Sequence, residues 1–343
     1  MRVGRAAGLD AVGVADAAPF DRARAALEER KAAGLHGGMH FTYGDPARAT
    51  DPGRSLTGAR SLVVGARSYL RRAADRPGRA TAARVARYSW SDHYAVLRDA
   101  LGAVARRLEE DGWRAIVLVD DNRLVDREAA YRAGIGWYGK NANVLLPGRG
   151  SWFVLGSVVT DAGLPPTGPP VEDGCGACTR CLTACPTDAI VAPGVVDARR
   201  CLAWLVEAPG SFPLEHRAAL GDRIYGCDDC QEVCPPNRLA ERSHPPPRPS
   251  VGDEPWMDLV ELLELPDDAL MARVGRWYVP RRQPRYVRRN ALVALGNVGD
   301  GQDRAVERVL RRALGSDDEL LREHAAWAAQ RLGRDDLLPE PAP

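Results

Sequence analysis

Over the first 165 residues, short apolar runs rich in β-branched side chains alternate with stretches of helical period. Ser61-Leu62-Val63-Val64-Gly65-Ala66, Ala115-Ile116-Val117-Leu118-Val119 and the run from Trp152 to Val159 read as strands. Between them Asp21 to Ala33, Tyr94 to Asp111 and Leu124 to Ala133 carry apolar residues at helical spacing. The alternation predicts an α/β (α+β) sheet domain over residues 1–164. No Gly-x-Gly-x-x-Gly opens a helix after the first strand and no Walker lysine motif occurs, so a bound dinucleotide or nucleoside triphosphate is not supported.

The pattern changes twice further on. Residues 165–242 are poor in long apolar runs and hold every cysteine, which predicts a small domain built around those thiols. Ser243-His244-Pro245-Pro246-Pro247-Arg248-Pro249 then reads as a stiff, extended connector. From there to residue 343 the chain turns helical. Arg288 to Gly296 and Arg322 to Ala329 recur at an offset of 34 residues, each pairing polar starters with an Ala- and Leu-rich face. This resembles a HEAT-type helical repeat, and two copies are too few for a free-standing solenoid, so the repeats are expected to lean on the rest of the protein.

Composition narrows the class. With 343 residues, 45% hydrophobic, 27% charged and a net charge of +1, the chain reads as an ordinary globular protein of two to three domains. Asp10 and Asp16 interrupt the first twenty residues, so neither a signal peptide nor a spanning helix is expected, and a cytoplasmic location is the default. Lys31 and Lys140 are the only lysines among 47 basic residues. A lysine in so arginine-rich a chain suggests a need for a compact charge.

All eight cysteines lie between Cys175 and Cys234. A reducing compartment and the tight spacing argue against disulfides. A tetrahedral zinc site takes two cysteines from each of two knuckles, whereas Cys175-Gly176-Ala177-Cys178-Thr179-Arg180-Cys181 sets three thiols in seven residues. The run continues to Cys185-Pro186, giving the C-x2-C-x2-C-x3-C-P pattern of two-cluster bacterial ferredoxins, in which the fourth cysteine serves the other cluster. The second half reads Cys227-Asp228-Asp229-Cys230-Gln231-Glu232-Val233-Cys234-Pro235, with the isolated Cys201 as the most economical remaining ligand. Crossing the Cys-Pro residues assigns Cys175, Cys178, Cys181 and Cys234 to one 4Fe-4S cluster, and Cys185, Cys201, Cys227 and Cys230 to the other. Two such clusters in one segment make a short route for single electrons.

The stretch from Asp120 to Asn143 begins at a strand's carboxyl end and finishes in a glycine-rich loop, where sheet domains place ligands. Asp120, Asp121 and Asn122 suit helix N-capping equally well, and Gly134, Gly136 and Gly139 suit the end of that helix.

Taken together, Gly8 to Val14, Gly58-Ala59-Arg60-Ser61, Ala86-Arg87-Tyr88, Val119-Asp120, Leu124-Val125-Asp126-Arg127, the Arg132 to Asn141 loop and the cysteine framework resemble the epoxyqueuosine reductases, cobalamin- and iron–sulfur-dependent enzymes of tRNA modification. The resemblance covers nearly the whole chain. It implies reduction of epoxyqueuosine to queuosine in a tRNA anticodon loop, by electrons from two 4Fe-4S clusters and an external single-electron donor. It also implies a cobalamin over the α/β domain, Asp120 as proton donor, contacts from Lys140 and Asn141, and backbone around Val144 and Leu155 lining the corrin. An aspartate serves as an acid near neutral pH only if its pKa is raised, which a corrin-covered apolar pocket would do. A soluble monomer with no membrane partner is expected.

The chain departs from the family pattern in four places: Asp92-His93-Tyr94 replaces Asp-Tyr-His, Pro236 follows the last Cys-Pro where tryptophan is usual, and Asp121 and Arg123 add charge beside Asp120. These departures leave room for a corrinoid reductase of another substrate. A module that carries electrons or binds RNA without chemistry of its own is the remaining class.

Between Arg273 and Arg334 fourteen arginines face seven acidic residues, and Arg281, Arg282, Arg285, Arg288 and Arg289 crowd together. A solvated helix face is one reading. With Trp277, Tyr278 and Tyr286 interleaved, phosphate neutralisation and stacking on unpaired bases is the other, which makes this the expected tRNA-docking surface.

Overall fold

Alternation along Ser61–Ser68 puts Leu62, Val64 and Ala66 on one face of a sheet and Val63 and Gly65 on the other. In the computed structural model, which describes residues 1–339, this strand is central. Its sheet runs Ala11–Asp16, Ser61–Ser68, Phe153–Thr160, Ala115–Val119, and every neighbouring pair is antiparallel. On one face the helix Asp126–Arg132 packs Ala129 and Ala130 against Leu62, Val64 and Leu118. On the other, Gly65 and Gly156 admit Leu101 of the helix His93–Glu110, for a Cβ at either position would stand 3.0 or 2.9 Å from its methyls. Asp92 caps that helix by accepting the Ala95 N–H at 2.8 Å.

The predicted strands and helices all occur, the helices as Asp21–Ala32, His93–Glu110 and Asp126–Arg132. The edge strand Ala11–Asp16 was not anticipated, nor was the wholly antiparallel pairing.

By contact the chain divides into two units, each made of three segments. The first joins Met1–Arg72, Asp92–Arg199 and Asp229–Pro247; the second joins Ala73–Ser91, Arg200–Asp228 and Arg248–Pro343. The cysteine segment is therefore shared between them. Among the described residues no helix is long and apolar enough to cross a membrane.

The second unit has a three-stranded sheet in the order Arg223–Tyr225, Ala82–Val85, Trp256–Asp258, and the helices Arg285–Val298, Arg304–Leu314 and Glu319–Arg331. The two sequence repeats fall on the first and last of these helices. Gly296 lets them meet closely, since a Cβ there would lie 2.9 Å from the Ala328 Cα. Val293, Leu310 and Ala328 share one core with Val85, Trp90, Phe212 and Ile224, so the tail completes its core with earlier chain.

Arg289 belongs to that interior and not to a docking surface. It is 0% exposed, and its guanidinium donates to the carbonyls of Ala208 at 2.7 Å, Gly210 at 2.6 Å, Leu205 at 3.0 Å and Val206 at 3.3 Å, and to Asn290 Oδ1. Burial lowers its pKa to about 10, so it stays charged at neutral pH, and the carbonyl oxygens compensate that charge. Replacing it by alanine strands those acceptors. Arg289→Ala should destabilise the protein by at least about 3 kcal/mol in denaturant unfolding, and a shift within error would show that the carbonyls find other partners.

Candidate active site and metal centre

Asp120 follows the Ala115–Val119 strand in the left-handed region, φ 51°, where a non-glycine residue is strained. The side chain is accessible to solvent. Enough protein surrounds it to disfavour the charged form. Desolvation raises its pKa, Arg98 opposes the rise and Asp121 adds to it. The helix that follows starts only at Asp126, with Val125 at the cap position and no side-chain cap, so Asp120, Asp121 and Asn122 do not cap it.

Asp121 bonds Arg123 instead, the Nη2 to Oδ2 contact measuring 2.5 Å, and this bond holds the Asp121 carboxyl below its usual range. The two charges that depart from the family pattern thus neutralise each other. Sequence reasoning missed Asp126 as part of this site. Burial pushes its carboxyl well above the usual range, with Asp120 and Asp121 adding to the rise, and its Oδ1 is buried without a hydrogen-bond partner. The Tyr94 phenol is likewise raised by burial, then by Asp120. His93 is buried, its ring 5.9 Å from that of Tyr69.

All eight cysteines are free thiols. In the first unit Cys175, Cys178 and Cys181 lie on the loop and turn ending at Thr183, and Cys234 stands at the cap of the helix Pro235–Ser243. Desolvation pushes the Cys234 thiol up to about 11; the Asn237 backbone N–H opposes the rise, and Cys175, Cys181 and Cys178 add to it. These four sulfurs therefore sense one another. Trp137 packs with Cys234 and Cys175, and its buried Nε1–H has no partner, as suits a site that is completed by an acceptor such as sulfide. The donor set and that orphaned N–H both fit an iron–sulfur cluster. Cys185 and Cys230 also lie in the first unit, while Cys201 and Cys227 lie in the second. Cys185 Sγ accepts the Ala189 N–H at 3.2 Å.

The glycine-rich loop forms a hairpin, Trp137–Tyr138 against Val144–Leu145. It requires glycine at 136, where a Cβ would stand 2.2 Å from the Leu145 carbonyl oxygen. Lys140 and Asn141, expected at a corrin, direct their polar ends to the cysteine segment: Lys140 Nζ donates to the Gly176 carbonyl at 2.7 Å and Asn141 Nδ2 to that of Cys230 at 3.3 Å. Val144 is buried and Leu155 half-buried, both packed in the core beneath the sheet.

Asn237 makes a second tie. It is 0% exposed, accepts the Ser151 N–H at 2.6 Å and donates to the Gln231 carbonyl at 2.8 Å. Gln231 in turn donates to Ser151 Oγ and to the Tyr69 hydroxyl, each at 3.0 Å. Pro236, the departure beside it, occupies the first turn of a helix, where a missing N–H has no consequence.

In the second unit the remaining arginines divide. Arg285 pairs with Asp318 at 2.6 Å, and Arg288 with Asp267 at 2.5 Å. Arg282 is exposed, and its guanidinium donates to the carbonyls of Met271, Gly275 and Trp277. Arg281 is exposed and makes no bond among the described residues. Trp277 is unavailable for stacking on bases because it is buried against Tyr225, the rings 4.4 Å apart; Tyr278 is 57% exposed. Of the residues expected to dock RNA, Arg281 and Arg282 are exposed, with Tyr278 beside them.

Comparison with known proteins places this geometry. Residues 49–121 match the family described as Epoxyqueuosine reductase QueG, DUF1730, and residues 174–237 match the 4Fe-4S double cluster binding domain. The chain is 36% identical over 335 residues to an epoxyqueuosine reductase of Vibrio cholerae, covering 94% of this chain and 88% of that protein. It is 33% identical over 340 residues to one of Bacillus anthracis, covering 96% and 87%. Among solved structures, epoxyqueuosine reductase with an epoxyqueuosine-modified tRNA-Tyr stem loop superimposes with a TM-score of 0.86 at 32% identity, covering 97% of this chain and 88% of that one. The enzyme from Streptococcus thermophilus gives 0.87 at 28%, covering 97% and 89%. With a double iron–sulfur segment in sequence and kinship along nearly its whole length, the chain belongs to the epoxyqueuosine reductase family and is an oxidoreductase.

Proposed function

We propose that this protein reduces epoxyqueuosine to queuosine in the anticodon loop of tRNA, with Asp120 as proton donor. The observation that carries the proposal is an accessible carboxyl, raised in pKa, at a strained turn. The relative solved with a modified tRNA stem loop supports the choice of substrate. Cys175, Cys178, Cys181 and Cys234 hold one 4Fe-4S cluster and the other four cysteines the second, fed by an external single-electron donor.

Opening the epoxide to an alkene takes two electrons and two protons and releases the oxygen as water. Cobalamin, implied by the family resemblance, would supply the two-electron reduction at carbon. The accessible Asp120 carboxyl and the orphaned Asp126 Oδ1 fit a ligand that brings its own polar donors. Backbone around Val144 and Leu155 would line it. Asp120 protonates the departing oxygen and solvent provides the second proton. Covering Asp120 would exclude water and raise its pKa further, keeping the acid protonated for transfer. Tyr278, Arg281 and Arg282 are the proposed contacts to phosphates and unpaired bases.

Three outcomes test these assignments. Asp120→Asn should abolish conversion of epoxyqueuosine in a modified stem loop, scored by mass spectrometry, with iron and sulfide content intact; undiminished conversion removes Asp120 from the mechanism. Because the acid works only while protonated, the rate should fall as pH rises through its pKa. Asp121, held ionised by Arg123, raises that pKa, so Asp121→Asn should move the fall to lower pH, and Arg98→Gln should move it to higher pH. Identical single-turnover pH profiles would contradict this. Arg281→Ala should weaken stem-loop binding and reduce the slope of log affinity against log salt by about 0.7 for one lost phosphate contact, without lowering the melting temperature; an unaltered slope would place the RNA elsewhere.

A further inference from the structure

We propose that Lys140 raises the reduction potential of the cluster held by Cys175 and Cys178. The inference rests on the assignment of those two cysteines to one cluster. Lys140 is half-buried, and both of its polar ends are fixed: its carbonyl accepts the Gly194 N–H at 2.9 Å, and its ammonium donates to the Gly176 carbonyl at 2.7 Å. Gly176 sits inside the Cys175-Gly176-Ala177-Cys178 loop with φ 50°. Its carbonyl belongs to the same peptide group as the Ala177 N–H, so an ammonium on the oxygen polarises a donor lying between two ligands.

The sign follows from charge. A cluster gains one unit of negative charge on reduction. A positive charge held beside its ligand loop favours that form, and hydrogen bonds and charge near the sulfurs are the protein's main control over such potentials. Lysine suits the task better than the arginine this chain uses elsewhere, because a compact ammonium makes one directed bond to one carbonyl, whereas a guanidinium presents a wide fork. Neutral residues could tie the loop just as firmly. The test must therefore separate charge from hydrogen bonding.

The experiment is a dye-mediated redox titration of the anaerobically purified holoprotein, followed by electron paramagnetic resonance with iron and sulfide quantified, and needs no turnover. Lys140→Met and Lys140→Gln should each shift one of the two cluster potentials to more negative values and leave the other in place. Lys140→Arg should return it towards the wild-type value. If Lys140→Met impairs cluster loading, the Gln and Arg variants carry the comparison. Unchanged potentials in the neutral variants would overturn the proposal, and so would a wild-type potential in Lys140→Gln alone, since the bond without the charge would then suffice. Absence of any cluster signal in the wild-type protein would overturn the cluster assignment itself, a result distinct from either.

Discussion

A buried amide, Asn237, ties the chain that carries Cys230 and Cys234 to the chain that enters the central sheet. Asn237 reaches from the helix that follows Cys234 to the chain at Ser151, just before the Phe153–Thr160 strand, and Gln231 joins the same network through Ser151 and Tyr69. The side-chain amides of Asn237 and Gln231 donate and accept within the interior, the condition under which a polar network fixes one arrangement rather than several. Gly150 makes room for it: a Cβ there would lie 2.0 Å from Asn237 Oδ1. The chain around Cys230 and Cys234 is thereby referenced to the sheet that ends in Asp120, and the Lys140 and Asn141 bonds repeat the fastening from the hairpin.

The acid and the thiols meet opposite electrostatic demands. Each thiol must ionise to bind iron, yet burial works against ionisation at Cys234. The positively charged iron core resolves the conflict by stabilising the thiolate, so cluster assembly and the local fold are thermodynamically linked. As the proposed proton donor Asp120 must stay protonated, and the same physics helps it. An accessible position lets it reach a substrate, while surrounding protein and the ionised Asp121 hold its proton. An aspartate fully buried from the outset would have kept the proton but lost the access.

The hydrophobic pattern made the three main strands and three helices legible because each buries a whole face or stripe. The Ala11–Asp16 strand was missed because six residues with a central glycine give too short a signal, and strand direction leaves no mark in periodicity. The cysteines were legible through spacing alone. The arginines were not: a count of charges cannot distinguish Arg289, enclosed by four carbonyls, from Arg281, which faces water. Lys140 stood out in the sequence by its rarity, but its partner, a carbonyl 36 residues away, is a product of tertiary structure. The interleaving of segments in the two units was invisible for the same reason, although the prolines from Pro245 to Pro249 do mark one crossing, at Pro247, from the first unit to the second.

The central claim is that reducing equivalents stored on paired iron–sulfur clusters remove a single oxygen atom from a modified base. Its most direct test is a single turnover of prereduced, corrin-loaded protein with a stem loop carrying epoxyqueuosine, in the absence of any other reductant. The account predicts that the RNA loses the mass of one oxygen as the clusters' reduced signal disappears, two electrons per product, and that clusters without corrin leave the RNA unchanged. Loss of oxygen without oxidation of the clusters, or in protein free of corrin, would contradict it.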